Sequence, residues 1–164
     1  MGIDLDAITR ERERIKKDHL LDEDSRPASS ARGIHHTALL SSDVRRTIEF
    51  YQGVLEMPLT EIFENRDYAG SDHFFFDAGA GNLLAFFTLP GLDLGPYREV
   101  LGGLHHIAIS VTRERWDHLR ARLDDAGVDY LLESKVSLYF AGPDGERLEL
   151  LADPLGSMYG TKVL

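Results

Sequence analysis

The feature that most constrains this chain is that it repeats itself. Gly33-Ile-His-His-Thr-Ala-Leu-Leu-Ser recurs seventy positions later as Gly103-Leu-His-His-Ile-Ala-Ile-Ser-Val. Phe76-Asp-Ala-Gly-Ala-Gly-Asn-Leu-Leu-Ala-Phe-Phe lies over Phe140-Ala-Gly-Pro-Asp-Gly-Glu-Arg-Leu-Glu-Leu-Leu at an offset of sixty-four. The first segment of each copy alternates like a strand and runs into a helix pattern. Asp43 is placed to N-cap a helix with Val44, Ile48, Tyr51 and Leu55 on one face. Trp116, Leu119, Leu123 and Ala126 form the equivalent stripe, closed by Gly127. At the rear, two strands flank a short turn, Gly79-Ala80-Gly81 in one half and Pro143-Asp144-Gly145 in the other. Each half reads strand, helix, strand, strand, strand. Such a unit cannot bury its sheet face alone, so two copies are expected to pack together and share the concavity between them. The expected class is α+β.

These patterns place a first βαβββ module at 32–90 and a second at 103–152. Between them lies a linker at 91–102, inside the Gly- and Pro-rich stretch Leu89–Gly102, and a tail follows at 153–164. Residues 1–31 differ. They carry eight acids and six bases with few apolar side chains. The Leu5/Ile8 and Glu11/Ile15 spacing predicts a weak amphipathic helix ending before Ser25-Arg26-Pro27, a solvated N-terminal arm.

Cysteine is absent, so a disulfide framework is excluded and any metal must be bound by His, Asp or Glu. A formal charge of −10 argues against a nucleic-acid surface, which needs clustered Lys and Arg. No apolar run approaches the ~20 residues that span a bilayer. The first residues include Asp4, Asp6, Arg10, Glu11 and Arg12 where a signal peptide would be apolar. A cytoplasmic location is expected, with no membrane partner.

Strand alternation sets His36, Ala38 and Leu40 on one sheet face and His35, Thr37 and Leu39 on the other. The same parity separates His106, Ala108 and Ser110 from His105, Ile107 and Ile109. In the last strand Arg147, Glu149 and Leu151 share a face. A histidine on each of two repeat-equivalent strands, with a carboxylate on a third, suits a two-His-one-carboxylate set that leaves open positions on a divalent ion. Periodicity alone leaves open which member of each His-His pair points inward. Phe74, Phe75, Phe76, Phe86 and Phe87 alternate between faces, so about half should line the cleft. The loop Asn65–Gly70 offers Arg66 and Tyr68 near such a cleft.

The residues Ile34-His-His-Thr-Ala-Leu with Asp43, Ile48-Glu-Phe-Tyr, Val54-Leu-Glu-Met-Pro, Leu104-His-His-Ile-Ala-Ile-Ser-Val and Phe140-Ala-Gly-Pro-Asp-Gly-Glu-Arg-Leu-Glu-Leu resemble the vicinal-oxygen-chelate superfamily. Its members include glyoxalase I, methylmalonyl-CoA epimerase, fosfomycin-resistance enzymes and extradiol dioxygenases. The resemblance covers about Gly33 to Pro154. It implies paired βαβββ modules in a curved mixed sheet around a metal cleft, with His36, His106 and Glu149 as the metal ligands. Glyoxalase I looks to hold a fourth ligand where Ala85 stands here, and a methyl group cannot ligate. A three-ligand set resembles extradiol dioxygenases and fosfomycin thiol transferases. Similar ring-cleaving enzymes carry a tyrosine about ten residues before the Glu, which implies a catalytic role for Tyr139. His73, on the same strand face, is placed for acid–base work. Tyr139 read as a core aromatic and His73 read as a surface residue stay open.

The expected function is an extradiol-type dioxygenase using Fe(II) or Mn(II) on a catecholic or vicinally oxygenated, aromatic small molecule, with homodimer assembly implied by the resemblance. The runner-up is a glyoxalase-like lyase or isomerase, or a thiol transferase, using Zn(II) or Ni(II). A non-enzymatic small-molecule binder is the third class.

Overall fold

The computed structural model describes residues 2–157 and separates them into two units, an arm that ends at Gly33 and a body that begins at Ile34. Of the tail expected at 153–164, residues 158–164 lie outside the described residues.

In the arm, α1 (Leu5–His19) begins where the Asp4 carboxylate accepts the Ala7 N–H at 2.9 Å. Pairs three residues apart, Arg14–Glu11 and Lys16–Glu13, decorate it, and none of its residues is buried. It takes in the whole Leu5-to-Ile15 spacing and ends at His19, before Ser25-Arg26-Pro27, where Leu20 adopts extended backbone.

The body carries β1 (His36–Leu40), α2 (Val44–Ile48) running on as a π-helical turn (Glu49–Val54), β2 (Leu59–Glu64), β3 (Asp72–Asp77) and β4 (Leu83–Phe87). It then repeats the order with β5 (Ile107–Ser110), α3 (Arg113–Asp125), β6 (Tyr130–Leu132), β7 (Ser137–Ala141) and β8 (Arg147–Leu151). The helix starts have local causes. The Asp43 carboxylate accepts the Arg46 N–H at 3.0 Å, and the Thr112 hydroxyl accepts the Arg115 N–H at 3.2 Å. Gly127 ends α3 at φ +66°, a backbone conformation an L side chain resists.

Each module forms its own four-stranded mixed sheet, ordered β1-β4-β3-β2 and β5-β8-β7-β6. The registers match. Ala38 sits opposite Ala85, which sits opposite Phe75; Ala108 sits opposite Glu149, which sits opposite Tyr139. The duplicated sequence thus yields duplicated backbone, with different side chains at corresponding points.

One face of each sheet is covered by its helix, and these covered faces join in a single core. Phe74, Phe76 and Phe86 with Tyr51 meet Leu138, Phe140, Leu148 and Leu150 with Trp116, Leu119 and Leu123. Burying each of these large side chains favours folding by ~1.5–3 kcal/mol. Polar contacts tie the modules together at the same seam. The Tyr51 hydroxyl donates to Glu146 at 2.7 Å, and Ser42 and Arg46 both reach Asp144. His118 and Arg115 close on Glu56 and hold its carboxyl down to about 2. The opposite faces of both sheets stay open.

Candidate metal centre

The open faces carry the residues singled out in the sequence. In β1 exposure alternates, with His36, Ala38 and Leu40 outward and Thr37 and Leu39 half-buried. Of the five phenylalanines, Phe74, Phe76 and Phe86 enter the core, while Phe75 and Phe87 line the open face of the first sheet.

Both His-His pairs are built alike. His35 Nδ1 and His36 Nδ1 are 2.9 Å apart, and His105 Nδ1 and His106 Nδ1 are 2.7 Å apart. One nitrogen of each pair must donate and the other accept. With Nδ1 engaged by its neighbour, the Nε2 atom of His36 or His106 is the one left to project onward, an orienting contact of the kind that metal-bound imidazoles make.

On the second sheet that projection finds a carboxylate. His106 Nε2 lies 3.2 Å from Glu149 Oε2, and the other Glu149 oxygen accepts the Ser137 hydroxyl at 2.5 Å. Glu149 is buried and His106 is partly exposed. The Tyr139 ring meets the His106 imidazole edge-on, centroids 5.4 Å apart. Burial first, and then the charge of Glu149, push the Tyr139 phenol up, so it stays protonated as a donor at neutral pH. Arg147 lies over the other ring of this cluster, its Cζ 4.8 Å from the Tyr139 centroid.

On the first sheet the equivalent neighbourhood is aromatic. His36 meets Phe75 edge-on at 6.0 Å. His73 stacks on Phe87 at 3.7 Å and lies 4.2 Å from Phe75, with Phe63 beyond. Its Nε2 is buried and has no hydrogen-bond partner among the described residues. Burial, and to a lesser degree His36, lower the His73 pKa, leaving a neutral imidazole with a free nitrogen at neutral pH.

The predicted residues therefore fall into two groups. His106, Glu149 and Tyr139 come together on the second sheet, and His36 and His73 share Phe75 on the first. No three His, Asp or Glu side chains among the described residues are placed to hold one metal ion, so His36 does not join His106 and Glu149 within the chain. The donor chemistry nonetheless fits a divalent ion, since an imidazole nitrogen and a carboxylate oxygen 3.2 Å apart match two ligands each ~2.0–2.2 Å from one centre. Tyr68 is occupied elsewhere, donating to Pro90 O at 2.8 Å, and Arg66 pairs with Asp67 on the surface. Cavities of about 320 Å³ beside Thr37, Ile107 and Ser110, and about 680 Å³ against the Leu89–Pro96 segment, are not lined by His36, His106 or Glu149. The candidate centre lies on open sheet surface. Sequence reasoning missed the Ser137 contact and the nearness of Arg147 to Tyr139, although Arg147 shares strand parity with Glu149.

Two like modules, a His on the leading strand of each and a Glu on the last, define a paired βαβββ fold suited to holding a divalent ion. The chain belongs to the Glyoxalase/Bleomycin resistance protein/Dioxygenase superfamily, whose model matches residues 33–150. It is 30% identical over 139 residues to a Bacillus subtilis protein named "Putative ring-cleaving dioxygenase MhqA", covering 80% of this chain and 43% of that one. The chain thus spans less than half the length of this curated relative. A glyoxalase family protein from Enterococcus faecalis superposes with TM-score 0.59 at 25% identity, covering 73% of this chain and 97% of that one. A mutant of the Listeria monocytogenes fosfomycin resistance protein FosX, complexed with Mn(II) and 1S,2S-dihydroxypropylphosphonic acid, superposes with TM-score 0.56 at 25% identity, covering 76% and 94%. Among the described residues, no helix is long and apolar enough to cross a membrane.

Proposed function

We propose that this chain is a divalent-metal-dependent, ring-cleaving dioxygenase of extradiol type, acting on a catecholic or vicinally oxygenated aromatic molecule. The observation that carries the reading is the His106–Glu149 pair, 3.2 Å apart under the Tyr139 ring. The similarity to a relative named for ring cleavage supports it.

His106 and Glu149 would hold the ion from one chain. His36 would complete the set from a second copy, whose first sheet lays its open face over the second sheet of this one. That arrangement would set His73 across from Tyr139. An ion held there, Fe(II) or Mn(II) in this reading, would supply Lewis-acid chemistry to the substrate. The protein's own groups do the rest. Neutral His73 takes the proton of a substrate hydroxyl at Nε2. The Tyr139 phenol donates a hydrogen bond to a substrate oxygen as charge builds on it. Phe63, Phe75 and Phe87 lie flat against the ring and keep water from it. Both atoms of dioxygen enter the product as the carbon–carbon bond beside the diol breaks.

The test uses two variants that are each inactive after anaerobic Fe(II) loading and a panel of catechols. His36→Ala and Glu149→Gln chains, mixed and allowed to exchange, should regain up to about a quarter of wild-type ring cleavage, because half the dimers then hold one intact site. Absence of recovery with proven exchange means that the site is not shared between copies. No ring-cleaved product from any catechol with the wild-type protein refutes the activity itself.

A further inference from the structure

We infer that Arg147 reads an anionic group on the substrate, so that the ring-cleaving site takes a vicinally oxygenated aromatic acid rather than an uncharged ring. This rests on the function proposed above and specifies its substrate class.

Three observations support it. First, Arg147 is the single Lys or Arg in the eight strands of the described residues, within a chain of formal charge −10. A positive charge on a sheet face is therefore exceptional here, and it falls beside the candidate ligands. Second, its place is fixed. Two residues along β8 from Glu149 put it on the same face, roughly 6–7 Å away. Its Cζ lies 4.8 Å from the Tyr139 ring centroid, a cation–π contact that keeps the guanidinium beside the candidate ligands. Third, Arg147 is loosely engaged. Its contacts to Glu99 Oε1 at 3.3 Å and His105 Nε2 at 3.5 Å are long, and both use Nη1. Arg46 by contrast holds Asp144 at 2.7 Å and Arg115 holds Glu56 at 2.5 Å, each closing a seam between the modules. Arg147 closes no such seam. Its side chain stays 38% exposed, and its Nη2 and Nε donors, without a hydrogen-bond partner among the described residues, can meet a carboxylate in the bidentate manner that guanidinium favours. A single guanidinium suits one carboxylate, whereas a phosphonate dianion would call for several cations.

The experiment compares 3,4-dihydroxybenzoate with unsubstituted catechol. Equilibrium binding to the Fe(II)-loaded protein is measured without oxygen, and kcat/KM is measured with oxygen. The wild type should bind the acid at least about tenfold more tightly than catechol, the worth of one charge-assisted contact. In Arg147→Met that ratio should fall to near one, and Arg147→Lys, which keeps charge without the fork, should restore part of it. A ratio unchanged in Arg147→Met, or equal weakening of both rings, would mean that Arg147 only props Tyr139 or Glu99 and would overturn the assignment. If the wild type binds and cleaves catechol but never prefers the acid, the assignment fails while the function stands. If it binds neither ring, the function fails first.

Discussion

The two open faces share one backbone and divide the chemistry between them. At three corresponding points, sixty-four residues apart, the first module has Ala85, Phe75 and His73, and the second has Glu149, Tyr139 and Ser137. A methyl group replaces a carboxylate, a bare ring replaces a phenol, and a histidine packed among aromatic rings replaces a hydroxyl that anchors the Glu149 carboxylate. The leading histidine pair is kept in both, with the same Nδ1–Nδ1 contact. Duplication thus supplied a scaffold twice, and one copy carries a polar His–Glu–Tyr cluster while the other carries an apolar wall with one imidazole nitrogen that has no partner among the described residues. In the proposed site neither half suffices alone, because the His106–Glu149 pair and His73 lie on different open faces.

The largest effect is expected at Glu149, where the halves differ most. Glu149→Gln keeps the shape and an acceptor for the Ser137 hydroxyl but removes the charge. Fe(II) affinity should fall by more than about a hundredfold, a loss greater than that of removing a supporting contact. Metal titration followed by a colorimetric chelator reads it. An affinity within a fewfold of wild type would break the contrast, since the second module would then hold no more of the ion than the first.

The first module's part is tested at His73. His73→Phe should lower kcat by roughly a hundredfold, the scale of a lost general base. Its urea midpoint should hold or rise slightly, because Nε2 has no partner to lose and Phe63, Phe75 and Phe87 accept another ring. Undiminished kcat would reduce His73 to part of the wall. Tyr139→Phe removes only a donor and should cost about tenfold in kcat.

The fold was legible because it rests on local periodicity stated twice. The Asp43 cap, the Trp116/Leu119/Leu123 stripe and the two glycine turns each announce themselves within a few residues. The site was legible as a set of residues but not as an arrangement. Strand parity gives the face of His36, His106 and Glu149, whereas which modules share a cleft depends on the Tyr51–Glu146 and Arg46–Asp144 seam, contacts 95 and 98 residues apart in sequence. Packing the helix-covered faces together leaves the open faces apart, and no short-range pattern encodes that choice. Arg147 was visible by parity but unremarkable until the other strands proved to lack any cation.

The seam offers the smallest and most specific contrast. Asn82 and Glu146 occupy corresponding turn positions. Asn82 stays local, its amide reaching Gly79 O at 3.2 Å, whereas Glu146 reaches across to Tyr51 and also accepts the Asp144 N–H at 2.9 Å. Burial pushes the Glu146 carboxyl above its ordinary value, against the opposing hydrogen bonds from Tyr51 and the backbone, and the nearby Asp144 charge adds to the rise. As pH climbs past about 4.5, the unfolded chain releases this proton while the folded chain keeps it. Glu146 therefore makes stability decline with rising pH until the folded carboxyl also ionises. Glu146→Gln abolishes that decline. Below pH 4.5 the variant should be less stable by about 1 kcal/mol, since one amide oxygen cannot accept from both Tyr51 and Asp144. Toward neutral pH the gap should narrow. Asn82→Ala, with nothing to ionise, should cost a similar amount at every pH. Urea unfolding of the three proteins across pH 4–8 separates these courses; parallel curves for wild type and Glu146→Gln would show that the seam does not hold a buried proton, and that the two turns differ in reach alone.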